Sequence, residues 1–115
     1  MDILIILNEG PYSNERSYNG LRTGLQLLNQ VKEAKVYFYL FSDAVACTIK
    51  NQKPSAAKYN AEELICELIS KGAKIKLCKS CLEARGGFVP IDHVEVSNMT
   101  EYAEWIAKAD KIISF

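Results

Sequence analysis

The chain has 115 residues, of which 49% are hydrophobic and 24% charged, a composition typical of a single soluble globular domain. A domain of this length forms an ordinary hydrophobic core without metal or disulfide staples. Fourteen basic and fourteen acidic residues give a formal net charge of zero, which argues against nucleic acid or an anionic membrane as a partner. We therefore expect residues 1–115 to form one domain with no nucleic-acid or membrane partner.

We expect no targeting signal in the apolar run at the start of the chain. Residues 3–7 are too few to span a bilayer, and Asp2 stands where a secretory signal would carry basic residues. This absence predicts a cytoplasmic protein. The four cysteines are then expected to be free thiols, because disulfides are rare in the cytosol.

Hydrophobic patterning predicts alternating strands and helices in the first half of the chain. The predicted elements are a strand at residues 2–8, a helix opening near Ser13 or Asn14, a strand at residues 35–41, and a long loop at residues 42–59 carrying a short helix at residues 44–49. The first strand is a continuous aliphatic run, as in a strand covered on both faces. The helix has leucines at helical spacing on one side, which should pack on the sheet.

The same alternation continues in the second half. The predicted elements are a helix capped by Asn60 and ending at Gly72, a strand at residues 73–78, a short helix at 80–85, a short strand at 94–96, a helix at 100–108 and a strand at 111–115. Lysines alternate with apolar residues in the third strand, which predicts a position nearer the sheet edge. Cys66 is expected in the core, His93 in a surface loop, and Trp105 and Ile106 on the inward face of the last helix.

Strands that alternate with helices predict a parallel sheet, because parallel neighbours require crossover connections. The predicted architecture is α/β, a single-domain three-layer α/β/α fold with a five-stranded, mostly parallel sheet. Ligands gather beyond the carboxyl ends of such strands. Three segments end there together: Asn8 to Tyr12, Ser42-Asp43, and Cys78 to Cys81. These segments form the candidate site.

The paired cysteines Cys78 and Cys81 allow several interpretations. Zinc needs four ligands, and only Cys47, Cys66 and His93 are available to complete such a site, so we expect no metal. The motif also resembles a redox dithiol at a helix start, although Lys-Ser stands between the thiols. A third interpretation is a nucleophilic sulfur that carries a group, and a fourth is simple packing under the loop.

Redox and carrier interpretations both require an activated thiolate. A helix amino terminus and nearby cations such as Lys79 and Arg85 stabilise a thiolate, which favours a reactive Cys78. Arg85 has an equally good structural interpretation as an ion-pair partner of Asp43. Hydrolase and nucleotide-binding interpretations are weak, because the only histidine is remote and no glycine-rich phosphate loop follows the first strand.

Residues along nearly the whole chain match a known pattern. They are Pro11-Tyr12, Glu15-Arg16, Asn19, Leu21-Arg22, Phe41-Ser42-Asp43-Ala44-Val45, Gln52-Lys53-Pro54, Tyr59-Asn60, Leu77-Cys78-Lys79-Ser80-Cys81, Arg85-Gly86, Trp105 and Ala109-Asp110-Lys111. This pattern resembles the DsrE/DsrF family, and is most similar to its small YchN-like branch. The resemblance implies a Rossmann-like subunit assembled as a trimer or hexamer, in a family that includes sulfur-relay proteins.

The resemblance also implies roles for particular residues. The family's sulfur-accepting cysteine falls on Cys78, which would hold sulfane sulfur as a persulfide and pass it to a partner thiol. Cys81 lies outside the minimal carrier pattern, and its role as a resolving, assisting or incidental thiol stays open. Apart from the resemblance, we expect Lys79 and Arg85 to stabilise the sulfur anion at the helix start. Their position after the strand ends predicts that Asn8, Tyr12 and Asp43 either line the pocket or only shape the loops. No cofactor is expected, whereas sulfur donor and acceptor proteins are.

Two other expectations come from the same residues. A non-catalytic oligomeric or small-molecule-binding protein is the alternative function, with the cysteines incidental to it. Homo-oligomerisation is expected partly independently of the resemblance, because a domain this small cannot easily bury all of its apolar groups. Those groups are the aromatic residues of the second strand, Tyr12, Tyr18, and the loop at residues 88–91.

Overall fold

The computed structural model describes residues 1–115. Its strands are β1 (Asp2–Leu7), β2 (Lys35–Leu40), β3 (Lys74–Cys78), β4 (Val94–Ser97) and β5 (Lys111–Ser114). Its α-helices are α1 (Arg16–Gln30), α2 (Ala61–Ser70), α3 (Lys79–Ala84) and α4 (Met99–Lys108), with 3₁₀ helices at Ser42–Thr48 and Ala57–Tyr59. No helix is long and apolar enough to cross a membrane.

The five strands form one sheet in the order β4-β3-β2-β1-β5, and every neighbouring pair is parallel. The chain moves outward from β1 to β4 one strand at a time and then returns across the sheet to place β5 beside β1. The outward crossovers use α1, α2 and α3, and the return uses α4. The predicted α/β fold with a five-stranded parallel sheet is therefore confirmed.

One face of the sheet packs against α1 and α2. Alternate residues of β1, namely Ile3, Ile5 and Leu7, join the main core with their counterparts on β2 and β3. Helix α1 approaches this face closely, because a Cβ atom on Gly24 would lie 2.5 Å from the ring of Phe38. A glycine is needed there for the helix to reach the sheet.

The opposite face is covered by α4 and is largely aromatic. Trp105 packs edge-on against Tyr37 at a centroid distance of 5.1 Å, and Tyr102 contacts Tyr39 at 4.8 Å. Phe38 and Tyr39 are both fully buried. The two helical layers therefore cover these two rings from both sides, whereas Tyr37 and Phe41 stay partly exposed, and homo-oligomerisation stays a prediction.

One local prediction agrees with the sheet order and one needs correction. The third strand lies between β2 and the edge strand β4, so it is near the sheet edge as predicted. Its lysines are accommodated at the α4 side, where Lys76 pairs with Glu101 at 3.4 Å and lies over the ring of Trp105. The predicted short helix at residues 44–49 is a 3₁₀ helix that begins two residues earlier, at Ser42.

The predicted orientation of two helical residues is wrong. Cys66 is exposed, because α2 turns Ala61, Ile65 and Leu68 inward and the next position after Ile65 lies about 100° around the helix. Ile106 is 37% exposed for the same reason, since its neighbour Trp105 takes the inward side of α4. His93 is exposed in the turn before β4, as predicted.

Candidate functional site

Cys78 lies where β3 ends and α3 begins. It is the N-cap residue of α3, with extended backbone angles, and its Sγ accepts a hydrogen bond from the Cys81 main-chain N–H at 3.3 Å. The Ser80 hydroxyl oxygen is also 3.3 Å from this sulfur. A cysteine sulfur thus occupies the position of a Ser or Asp oxygen in an ordinary helix cap.

These contacts set the ionisation of Cys78. Partial burial raises its pKa, but hydrogen bonds from the Cys81 thiol, the Ser80 hydroxyl and the main-chain N–H groups of both residues together lower it more. The pKa of Cys78 therefore lies below the ordinary cysteine value. The thiolate is the nucleophilic form, so Cys78 is the activated thiol of this pair.

Cys81 has the opposite character. Burial and the hydrogen bond to the Cys78 sulfur raise its pKa, and these effects outweigh the Ser42 main-chain N–H and the Arg85 charge, which lower it. Cys81 is therefore a protonated thiol over a wider pH range than Cys78. The two thiols divide into a nucleophile and a neighbouring proton donor.

Cys78 opens onto a cleft of about 330 Å³ between the ends of β3 and β4. The lining residues are Tyr39, Cys78, Lys79, Ser80, Glu83, Ser97, Asn98 and Met99. Tyr39 donates its hydroxyl hydrogen to the Asn98 carbonyl at 3.1 Å, and Ser97 donates to a Glu101 carboxylate oxygen at 2.6 Å. The cleft thus has fixed hydroxyl groups on one wall and the activated sulfur on the other.

Tyr39 and Ser97 were missed by sequence reasoning. Ser97 is the register partner of Cys78 across β3 and β4, so it also lies at the carboxyl end of a strand. The rule that ligands gather beyond the carboxyl ends of parallel strands identified Cys78. Applied also to the predicted fourth strand, which has only a short apolar pattern, it would have identified Ser97. Nothing local marks Tyr39, whose neighbours in the chain are also aromatic.

Asp43 and Arg85 form a clamp beside the thiols rather than part of the cleft wall. Arg85 Nε donates to Asp43 Oδ1 at 2.8 Å, and a terminal guanidinium nitrogen donates to the Cys81 carbonyl at 3.0 Å. The ion-pair interpretation of Arg85 is therefore confirmed. The clamp fastens α3 to the 3₁₀ helix that follows β2.

Lys79 lines the cleft, and its ammonium group lies 3.8 Å from a Glu83 carboxylate oxygen. Both side chains are well exposed, so this pair is loose and leaves the lysine free to turn toward an anion at the cleft.

Asn8 and Tyr12 lie away from the thiols within the single subunit. Asn8 donates its amide hydrogens toward Ser114 and the Phe115 carbonyl, on the β5 side of the sheet. Tyr12 bonds to Gln52 and accepts from the Ala61 main-chain N–H at 3.2 Å. It lines a different cleft, of about 650 Å³, between the start of α1 and the 52–59 segment.

The remaining cysteines are separate from the pair. Cys47 is fully buried, and burial raises its pKa to about 12, so it stays a thiol. Cys66 is exposed on α2, and partial burial together with nearby acidic residues raises its pKa. No group of three or more His, Cys, Asp or Glu side chains is arranged to hold a metal ion.

Comparison with known proteins places this geometry in a family. The model of the DsrE/DsrF-like family matches residues 1–115. Protein YchN of Escherichia coli is 36% identical in an alignment of 115 positions that covers 98% of this chain and 97% of YchN. The uncharacterized protein MK0008 of Methanopyrus kandleri is 34% identical in an alignment of 115 positions that covers 98% of this chain and 93% of that protein.

Solved structures agree with these sequence relationships. The crystal structure of the ychN protein from E. coli has a TM-score of 0.93 and 34% identity, and covers 100% of this chain and 99% of that one. Protein MTH1491 from Methanobacterium thermoautotrophicum has a TM-score of 0.78 over 99% of this chain and 98% of its own, at 16% identity, and supports the fold alone. The predicted resemblance, including its YchN-like character, is confirmed, and the chain belongs to the DsrE/DsrF-like family, which suggests sulfur relay at the level of the family.

Proposed function

We propose that this chain is a sulfur carrier that accepts sulfane sulfur as a persulfide on Cys78 and passes it to a partner thiol. The observation that carries the proposal is the cap geometry of Cys78, whose sulfur accepts a main-chain hydrogen bond at 3.3 Å and whose pKa is lowered. Membership of a family associated with sulfur relay supports it.

Loading is a thiol-exchange step. The Cys78 thiolate attacks the outer sulfur of a donor persulfide and forms a new S–S bond with it. The S–S bond of the donor breaks, and the inner cysteine sulfur of the donor leaves as a thiolate. Delivery repeats the step in reverse, with the thiolate of an acceptor protein attacking the outer sulfur on Cys78. No electrons are gained or lost overall, so the carrier needs no cofactor for either step.

The cleft suits the charge of the carried sulfur. A persulfide on Cys78 extends the side chain by one sulfur atom, and the cleft of about 330 Å³ offers room for it. The Ser80 hydroxyl and the loosely paired Lys79 are within reach of its negative charge. Hydrogen bonds to charged groups are stronger than those between neutral groups, so these contacts favour the loaded state.

Mass spectrometry of the intact protein tests the proposal. After brief exposure to polysulfide, the reduced wild-type chain should gain one sulfur atom that a reducing agent removes. Cys78→Ser should lose this gain, whereas Cys66→Ser, which removes an exposed thiol away from the cleft, should keep it. Sulfur uptake by Cys78→Ser at the wild-type level would show that another thiol is the carrier.

We further propose that the chain works in the cytoplasm as a homo-oligomer, a trimer or hexamer, with sulfur donor and acceptor proteins as its other partners. Reduced thiols persist in that compartment. Support for assembly comes from exposed apolar side chains: Val89, in the loop between α3 and β4, is 74% exposed, and Met99, on the cleft rim, is 63% exposed. Exposed apolar groups of this kind mark association surfaces.

One observation favours a second candidate function, the binding of a small molecule. The cleft of about 650 Å³ beside Tyr12 is lined by three tyrosines and two prolines, and its volume is within the usual range of ligand pockets. Gln52 is held there by hydrogen bonds to the Cys47 and Ile49 carbonyls, so the cleft is preformed. A ligand of this cleft should raise the melting temperature of wild type and of Cys78→Ser equally, whereas sulfur loading depends on Cys78.

A further inference from the structure

The two thiols are placed for reaction with each other. Cys78 ends β3 and Cys81 is in the first turn of α3, with its main-chain nitrogen 3.3 Å from the Cys78 sulfur. Residues three apart in a helical turn lie on the same side of it. Both cysteines are partly accessible, and neither is bonded to any other cysteine.

The structure holds Cys81 in this position from both sides. Its N–H donates to the Cys78 sulfur, while its carbonyl accepts from Arg85 at 3.0 Å. Arg85 is fixed in turn by Asp43 at 2.8 Å. Cys81 therefore meets Cys78 without unwinding of the helix, which removes most of the entropic cost of bringing two thiols together.

We propose that Cys81 gives the chain a second activity, the reductive release of the carried sulfur as sulfide with formation of a Cys78–Cys81 disulfide. This inference rests on the proposed persulfide at Cys78. Cys81 first gives up its proton to solvent, and its thiolate then attacks Cys78 Sγ. The bond between Cys78 Sγ and the outer sulfur breaks, its electron pair leaves with that sulfur, and the sulfur takes a proton from solvent to depart as HS⁻.

The chain itself supplies the electrons for this step. The sulfane sulfur is reduced by two electrons, and the two cysteine thiols supply them by becoming a disulfide. A dithiol reductant must then reduce the disulfide to restore the carrier. Attack on the outer sulfur would only move the persulfide to Cys81, so attack on Cys78 Sγ is the route that releases sulfide.

The ionisation of the pair supports an order of events. Cys78 has the lowered pKa and is loaded first, whereas burial and the bond to Cys78 raise the pKa of Cys81 and keep it protonated. Since thiolate is the attacking form, the raised pKa of Cys81 slows release and leaves an interval after loading. An acceptor thiol that reaches the cleft in this interval takes the sulfur, and without an acceptor the sulfur leaves as sulfide.

The first experiment loads sulfur and follows its fate. In a Cys66→Ser background, which removes the other exposed thiol, the protein is treated with polysulfide and freed of the excess, and sulfide and intact mass are measured over time. The intact pair should release one sulfide per loaded chain and end two hydrogens lighter than the reduced form. Adding Cys81→Ser, or Cys81→Ala as a second variant, should leave the sulfur on Cys78 and slow sulfide release by about tenfold or more.

The second experiment tests the same attack without sulfur loading. One equivalent of the aromatic disulfide known as Ellman's reagent is added to each protein in the same background. The intact pair should release both chromophores of each reagent molecule, because Cys81 displaces the second from Cys78. The Cys81→Ser protein should release one and retain the other as a mixed disulfide.

The two experiments separate the two proposals. Loaded sulfur that leaves both proteins at the same rate, with one chromophore released by each, overturns the role of Cys81 and leaves the carrier intact. Failure of the Cys81→Ser protein to take up any sulfur overturns the proposed carrier function, and the proposed sulfide release with it. This holds even if the protein with both cysteines releases both chromophores.

Discussion

The hydroxyl of Ser80 provides a direct test of how Cys78 is activated. Its oxygen lies 3.3 Å from the Cys78 sulfur, and Ser80→Ala removes this contact at an exposed position where alanine is also a good helix residue. A hydrogen bond to a charged group contributes up to about 3 kcal/mol, and solvent exposure reduces this to about 1 kcal/mol here. Loss of 1 kcal/mol lowers the thiolate population at acidic pH about fivefold.

The reaction rate changes less than the thiolate population. A thiolate of higher pKa is intrinsically more nucleophilic, with a Brønsted coefficient of about 0.4–0.5. Each remaining thiolate therefore reacts about twofold faster, which offsets part of the fivefold fall in thiolate population. The alkylation rate of Cys78 in Ser80→Ala should therefore be about two- to threefold below wild type on the acidic side of its titration. On the alkaline side, where both proteins are fully ionised, the variant should react about twofold faster.

The assay is the rate of iodoacetamide alkylation at Cys78, read by peptide mass spectrometry as a function of pH. Ser80→Thr keeps the hydroxyl and is the matched control, and its profile should follow wild type. The crossing of the two curves separates a change in ionisation from a change in access, which would lower the rate at every pH. Superimposable profiles for Ser80→Ala and wild type would refute activation by this hydroxyl.

The accessible thiols, the packing of α1 and the exposed Val89 give the remaining predictions. Limiting iodoacetamide near neutral pH should label Cys78 ahead of Cys66, whose pKa is raised where that of Cys78 is lowered; equal labelling would contradict an activated thiolate. Gly24→Ala should lower the free energy of unfolding in urea by about 1–2 kcal/mol, because overpacking against Phe38 outweighs the helix propensity gained; an unchanged midpoint would be evidence against the close approach. Val89→Asp should shift sedimentation toward smaller species without unfolding the subunit, and a wild-type protein that sediments as a 12.9 kDa monomer would end the case for assembly.

The order and type of most elements were predictable because they depend on local pattern. A buried parallel strand needs an unbroken apolar run, as in β1, and a helix lying on a sheet needs apolar residues at helical spacing. The N-cap of α2 was also predictable from the spacing of Asn60 and Glu63. In the structure, the Asn60 side chain accepts a hydrogen bond from the Glu63 N–H at 3.0 Å. Cys78 belongs to the same class, because a strand followed at once by a helix puts the residue between them at a cap.

Helix orientation was less predictable, because an apolar stripe does not specify which of its flanking residues meets the sheet. Cys66 and Ile106 each adjoin a residue that takes the inward side, and each is exposed. The rotation of a helix about its own axis depends on how that axis lies over the strands, and this in turn depends on neighbouring elements. The closeness of α1 to Phe38, permitted by Gly24, is one such determinant.

The sequence by itself therefore determined an alternating α/β chain with a cysteine pair beginning at the end of its third strand. Only the tertiary structure decided which strand ends are neighbours. Crossover connections require parallel strands but leave their order open, and that order depends on long-range packing of the whole sheet. The order β4-β3-β2-β1-β5 brings Ser97 beside Cys78 and places Asn8 at the opposite side, next to Phe115.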